Sequence, residues 1–296
     1  MSTALVIGVV QGGMYGLLAL GLVLVYKGSR VLNFAQAEIG TVSLFLAYWL
    51  VAQHNLPWIV GAACALLLGA AIAMVFERVI VRPMGSAPRL SVAVATIGLL
   101  TLLLSLELLQ FGPTPRVLPP PIEGLGVHIA GFYVSPTQLI SLGAVAVIGV
   151  ALAMFLRRTD FGLGVLAAAE DPIAVRLVGV RLSRVSAFTW GVSGALSALA
   201  ALFIAPSLGV FTPGVIGAPL FVASLAGALL GGMTSLTGAF IGGIAIGVLE
   251  AVTKYVVISS NLSATIPGAQ SIAIFAVILV VLLVRPQGLL GRGAAA

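Results

Sequence analysis

The sequence predicts an all-α integral membrane protein: one polytopic helical bundle of about nine membrane segments (8–10), with the N-terminus outside and the C-terminus cytoplasmic. Three observations predict this class. The 296 residues are 60% hydrophobic and only 7% charged, where an ordinary soluble domain is roughly a quarter charged. Apolar runs close to the roughly 20 residues that a hydrocarbon core demands recur along the whole length, leaving no room for a separate soluble domain. Lys and Arg fall almost entirely in the connections between those runs, as cytoplasmic loops require.

The apolar segments cover 4–26, 33–53, 57–76, 91–111, 136–156, 185–206, 214–232, 235–256 and 268–284, the seventh being the weakest. The first opens MSTALVIGVV without a basic leader or a small-residue cleavage site, so it reads as a retained span and not a signal peptide. Placing Lys27/Arg30, Arg78/Arg82/Arg89, the stretch 157–184 and Arg285/Arg292 in the cytoplasm accommodates every basic residue except Arg116 and Lys254. Lys254 follows Glu250 by four residues, the favourable order for an ion pair along a helix. The stretch 212–238 is rich in Gly and Pro and could be re-entrant, since broken helices are tolerated where protein buries them.

The whole chain, 1–296, reads as one transmembrane domain with two substantial loops. The outer one, 112–135, contains Pro113, Pro115, Pro119, Pro120 and Pro121, too many prolines for a helix interior. Within it VHIAGFYV reads as two short strands turning at Ala130 and Gly131. This loop is either a rigid cap that meets a partner or a connector stiffened by proline. Segments one and six cross in opposite directions, and each is followed by a Gly- or Pro-bearing stretch and a second apolar run. That pattern would suit the inverted halves of a transporter.

The inner loop, 157–184, concentrates charge: Arg157, Arg158, Asp160, Glu170, Asp171, Arg176, Arg181 and Arg184 all lie in it. Asp171 followed by Pro172 is a strong helix start, with Asp as N-cap and Pro at the first helical position. Gly179 is a natural stop. The product is a helix of about two turns with Ile173, Val175, Leu177 and Val178 beside Arg176. Its apolar surface either seeks a groove in another protein or lies on its own bundle or at the lipid interface.

The net charge of +6 does not indicate a nucleic-acid partner, because the basic residues sit between apolar spans with no aromatic interleaving. Cys64 is the only cysteine, which excludes an intramolecular disulfide. His54 and His128 have no ligand-spaced partners, so no metal site is expected. No GxxxxGK[ST] motif and no Ser/His/Asp set in a shared loop occurs, which leaves neither a P-loop ATPase nor another enzyme to argue for. The chain itself is expected to hold no cofactor.

Two polar stripes remain. In segment two, Asn33, Gln36, Gly40, Ser43 and Ala47 recur at three- and four-residue steps on one helix face, forming either a close helix contact or the wall of a polar path. Glu38 lies off that stripe near the expected cytoplasmic start of the helix. There it is either a gate or a structural carboxylate pairing with Lys27, Arg30 or the helix dipole. In segment four, Ser91, Gly98, Thr101 and Ser105 share one face, with Glu107 near the outer end. GxxxG spacings at Gly227/Gly231, Gly238/Gly242 and Gly243/Gly247 permit close helix packing.

Taken in order, Gly12 to Gly16 in GGMYG, LNFAQAE at 32–38, ERVIVRP at 77–83, AAAEDPIAVRLVGV at 167–180, GGMTSLTGAFIGGIAIGVLE at 231–250 and RPQGLLG at 285–291 resemble a known family nearly end to end. It is the inner-membrane permease subunits of ATP-binding-cassette importers for branched-chain amino acids, the LivH type. The resemblance implies that the short helix is a coupling helix held in a cleft of a cytoplasmic ATPase, with Glu170, Asp171, Pro172, Arg176 and Gly179 carried over to that role. It implies a substrate path between two permease subunits near the start of segment two, lined by Asn33, Phe34, Gln36, Gly40 and Ser43, with Ser91, Gly98 and Thr101 opposite. The implied partners are a second, LivM-like permease subunit, two LivG/LivF-like ATPase subunits that bind ATP and Mg, an extracytoplasmic solute-binding protein, and the bacterial inner membrane.

One departure bears on the solute. The family commonly reads NFAHGE where this chain has NFAQAE, so Gln36 replaces an imidazole and Ala37 a glycine. Relatives import other amino acids, urea and short amides, and those solutes stand as alternatives. A secondary transporter or channel is a further alternative, weakened because Glu38, Glu107 and Glu250 all fall toward expected helix ends. A non-transporting scaffold, in which both stripes serve packing alone, is the third.

Overall fold

Backbone in hydrocarbon must satisfy its own hydrogen bonds, so apolar runs become helices. The computed structural model describes residues 2–85, 87–122, 126–129, 132–214, 216–260, 268–285 and 288–290. Along it run α1 (Ser2–Ser29), α2 (Gln36–Tyr48) with a π-helical continuation over Trp49–Gln53, and α3 (Trp58–Phe76) with another over Glu77–Val81. There follow α4 (Arg89–Phe111), the strands β1 (Val127–Ile129) and β2 (Phe132–Val134), α5 (Pro136–Arg158), α6 (Asp160–Glu170) and α7 (Pro172–Leu177). The chain continues through α8 (Leu182–Leu208), α9 (Gly217–Gly231), α10 (Leu236–Ser259) and α11 (Ala269–Val284). A helix occupies each of the nine expected apolar segments. Six of the described helices are long and apolar enough to cross a membrane, whereas α9 and α11 are shorter apolar helices.

Glycine spacing decides which helices meet at the centre. Gly8, Gly12 and Gly16 stand one turn apart on α1 and face Gly243 and Gly247 of α10. A methyl on Gly12 would fall 2.6 Å from the Ile244 α-carbon, and one on Gly247 would overlap the Gly12 backbone. The two helices therefore touch main chain to main chain, the approach that small residues at four-residue spacing allow. α9 and α10 meet in the same way, Gly231 against Gly238 and Gly227 against Gly242 and Gly243. α1 and α8 form the buried axis, with 78% and 72% of their most apolar windows buried against 17–28% for α3, α4, α5 and α10. The outer helices are apolar on their exposed faces, as a bundle surrounded by lipid requires.

The charged stretch 157–184 is more structured than a loop carrying one short helix. Thr159 caps α6, its hydroxyl accepting from Gly162 N at 3.0 Å, and α6 leads straight into α7. Asp171 caps α7 through Oδ1, which accepts from Ile173 N at 2.9 Å and Ala174 N at 3.0 Å. Gly179 follows at φ 86°, the left-handed conformation in which glycine is unstrained. Between α4 and α5, β1 and β2 pair antiparallel, Val127 opposite Val134. Ala130, Gly131 and Arg292 lie outside the described residues.

Glu250 does not form the expected ion pair with Lys254. It accepts a hydrogen bond from Tyr15 Oη at 2.6 Å instead, which ties α10 to α1. Arg116, the other basic residue left off the expected cytoplasmic side, covers the end of α4. It donates to the Phe111 carbonyl at 3.0 Å, and its guanidinium lies 5.7 Å from the centre of the Tyr48 ring.

Candidate functional site

The site follows from how α2 begins. α1 ends at Ser29 with Arg30 at φ 57°, and the chain turns back into the bundle without helical structure before α2 starts at Gln36. Gln36 Nε2 then lies against Gly21 of α1, about 12 Å inside the end of that helix. The start of α2 is consequently deep in the bundle. Sequence reading treats a helix start as a membrane edge, which is why Glu38 was expected to be shallow.

Gln36 is held by a closed set of hydrogen bonds to α8. Its Nε2 donates to the Ser193 carbonyl at 3.0 Å and to Ser197 Oγ at 2.6 Å. Its Oε1 accepts from Ser193 Oγ at 2.6 Å and from Asn33 Nδ2 at 3.2 Å. An amide has two N–H donors and two acceptor lone pairs, and all four are used. Asn33 Oδ1 accepts from Ala35 N at 3.1 Å, fixing the turn itself. Gly40 fits against the Ser197 carbonyl, and Ser43 Oγ donates to Ile39 O at 2.7 Å. The Asn33–Gln36–Gly40–Ser43 stripe is thus buried, with Gln36 and Gly40 against α8 and Ser43 beside Gly69 of α3. Ser193 and Ser197 were missed, although Thr189, Ser193 and Ser197 at successive four-residue steps mark one polar face of α8.

The second stripe does not stand opposite the first. Ser91, Gly98, Thr101 and Ser105 lie on the exposed face of α4, and a methyl on Gly98 would meet nothing within 4 Å. Thr101 and Ser105 donate back within their own helix, to Ile97 O at 3.0 Å and Thr101 O at 2.7 Å. The buried face of α4 supplies Thr96 and Glu107 instead. Thr96 Oγ1 accepts from Phe34 N at 3.2 Å.

Glu107 meets α2 at Thr41, whose hydroxyl donates to Glu107 Oε1 at 2.7 Å. Thr41 is one turn beyond Glu38, and its hydroxyl also reaches the Glu38 carbonyl at 3.0 Å, so Thr41 links the Glu38 turn of α2 to Glu107 of α4 in the interior. Glu38 is 3% exposed and Glu107 2%. Glu38 Oε1 and Glu107 Oε2 are buried without a hydrogen-bond partner from the protein. The other oxygen of Glu38 rests on Gly217, the first residue of α9, where any side chain would overlap it. A helix N-terminus carries partial positive charge, so the carboxylate is favourably placed there. Arg30, expected as a partner for Glu38, donates instead to the Ala169 carbonyl. Phe34 and Phe221, four residues before Glu38 and four after Gly217, stand with ring centroids 5.5 Å apart. Two short helices that start inside the bundle, α2 and α9, thereby meet at one polar point.

In the stretch 157–184, α7 buries Val175, while Ile173, Leu177 and Val178 are 73%, 85% and 77% exposed. Glu170 ends α6, and Arg176 lies on the last turn of α7.

Similar proteins agree on the kind of molecule this is. BraD, a high-affinity branched-chain amino acid transport system permease protein of Pseudomonas aeruginosa, is 30% identical over 97% of this chain and 95% of its own. The LivH permease protein of Escherichia coli K12 is 31% identical over 96% and 94%. The solved structure of PsaBC from Streptococcus pneumoniae in complex with Fab shares the fold at a TM-score of 0.51, with 16% identity, covering 97% of this chain and 92% of that one. The family model described as branched-chain amino acid transport system / permease component matches residues 4–284, and this multi-pass membrane protein belongs to that permease family.

Proposed function

We propose that the chain is one permease subunit of an ATP-driven importer for branched-chain or related hydrophobic amino acids. It forms the translocation path with a second permease subunit and receives its drive from two separate ATPase subunits through α7. An extracytoplasmic solute-binding protein delivers the solute to the outer face, where the 112–135 connection lies. The nine helical segments cross or enter the membrane with the N-terminus outside, the C-terminus cytoplasmic, and 157–184 on the ATPase side. The hydrolytic residues, ATP and Mg belong to the partners.

The observation that carries this reading is α7. A short helix rigidly capped by Asp171, with Ile173, Leu177 and Val178 turned outward beside Arg176, has an apolar surface that its own chain leaves open. Amphipathic helices of this kind seat in grooves of other proteins. Family membership supports the ATPase as the owner of that groove.

Reconstitution into liposomes with the partner permease, ATPases and binding protein tests the reading. Uptake is expected only with ATP on the ATPase side and binding protein on the other. The buried Glu38–Glu107 pair favours one second reading, an ion-coupled carrier, because deep ionisable groups mark ion and solute paths. Uptake that persists without ATP and follows an ion gradient would establish that alternative and displace the first.

A further inference from the structure

We propose that Glu38 and Glu107 form an intramembrane site for a primary ammonium group, the α-amino end of a transported amino acid, with Phe34 and Phe221 facing its apolar side chain. This rests on the permease reading above and adds the chemistry by which the path would recognise its solute.

Two carboxylates nine-tenths or more buried, each with one oxygen unpartnered by the protein, are expensive unless a positive or donating group completes them. The N-terminus of α9 lies against only the Glu38 oxygen resting on Gly217, and the Thr41 hydroxyl, which also reaches the Glu38 carbonyl, donates on the carboxylate side to Glu107 Oε1. Glu38 Oε1 and Glu107 Oε2 remain. They come from two different helices that Thr41 ties together, and a single donor group between α2 and α4 is the ligand proposed to use both.

Donor count selects the group. A hard metal cation takes about six oxygen ligands, and among the described residues no group of three acidic, His or Cys side chains could hold one. An ammonium has three donors; the two free carboxylate oxygens and the Thr41 oxygen supply three acceptors. The surroundings select an apolar amine over a polar one. The Phe34–Phe221 pair is only partly buried and lies beside the starts of α2 and α9. In a low-dielectric site such charge-assisted contacts are strong and discriminate against an isostere lacking the donor.

The assembled transporter in lipid nanodiscs is titrated with L-leucine, with isopentylamine and with α-hydroxyisocaproate, which replaces the ammonium by a hydroxyl. The two amines are expected to bind, with the hydroxy acid at least about tenfold weaker. Glu38→Gln and Glu107→Gln keep shape and remove charge, and each is expected to weaken isopentylamine about tenfold or more with the thermal midpoint unchanged. Gly217→Ala, which drives a methyl into the Glu38 carboxylate, should likewise weaken isopentylamine binding. Equal binding of the hydroxy acid, wild-type amine binding by both glutamine variants, displacement by sodium alone, or no binding of any probe would each overturn the site. ATP-dependent uptake by the same preparation keeps the two readings apart: uptake without amine selectivity removes the site and leaves the permease, whereas amine binding without ATP-dependent uptake does the reverse.

Discussion

Gln36 and Glu38 lie two residues apart and do opposite things. Gln36 spends every hydrogen-bonding group on α8 and on its own turn. Gln36→Leu would strand Ser193, Ser197 and Asn33, and should lower stability by about 1–3 kcal/mol, read as a fall in thermal midpoint in detergent. Glu38 keeps an oxygen free beside Glu107. The polar stripe of segment two was legible because its spacing is local, three and four residues along one helix. The Glu38–Glu107 meeting was not, because nothing within either segment says which face of α4 turns toward α2. The hydroxyls of the other α4 stripe drew attention, yet those on Thr101 and Ser105 are satisfied within their own helix and stay on the outside.

Among the elements, α1 and α10 depend most on absent side chains. Gly247→Val would force apart two backbones in direct contact, and overpacking of that kind costs about 3 kcal/mol or more. The expected result is a misassembled chain, seen as loss of a monodisperse peak in size-exclusion chromatography. α7 behaves differently, since its apolar residues support little of the bundle. Ile173→Asp should leave insertion and thermal midpoint unchanged while weakening ATPase association, checked by co-purification of the ATPase subunits. The capped start and glycine stop of α7 could be read directly, because both are local chemistry. α6 escaped notice because its start signal, Thr159–Asp160, sits inside a run of charge that resembles a loop. α2 and α9 were read as ordinary segments, and their internal starts became visible only with α1 and α8 in place.

At the scale of the whole molecule, two buried helices, α1 and α8, are each followed by an irregular stretch and a short helix, and the two short helices meet. Sites in transporters recur where discontinuous helices converge near the bilayer midplane, and under the proposed function this meeting point takes the solute while α7 takes the drive. The topology is testable with one background substitution, since Cys64 is the sole cysteine. In Cys64→Ala, Ala174→Cys is expected to react with an impermeant maleimide only from the cytoplasmic side, and Thr114→Cys only from outside. The reverse pattern would invert the bundle and detach α7 from any cytoplasmic ATPase.

The central claim is that ATP hydrolysis by partner subunits moves solute through this chain by way of α7. The most direct measurement is solute taken up per ATP hydrolysed in proteoliposomes, comparing the wild-type chain with Leu177→Asp. ATP-dependent uptake is expected for the wild type and, for the variant, uptake lost while the chain remains inserted and folded. Unchanged uptake per ATP in Leu177→Asp, or uptake by the wild type without ATP, would contradict it.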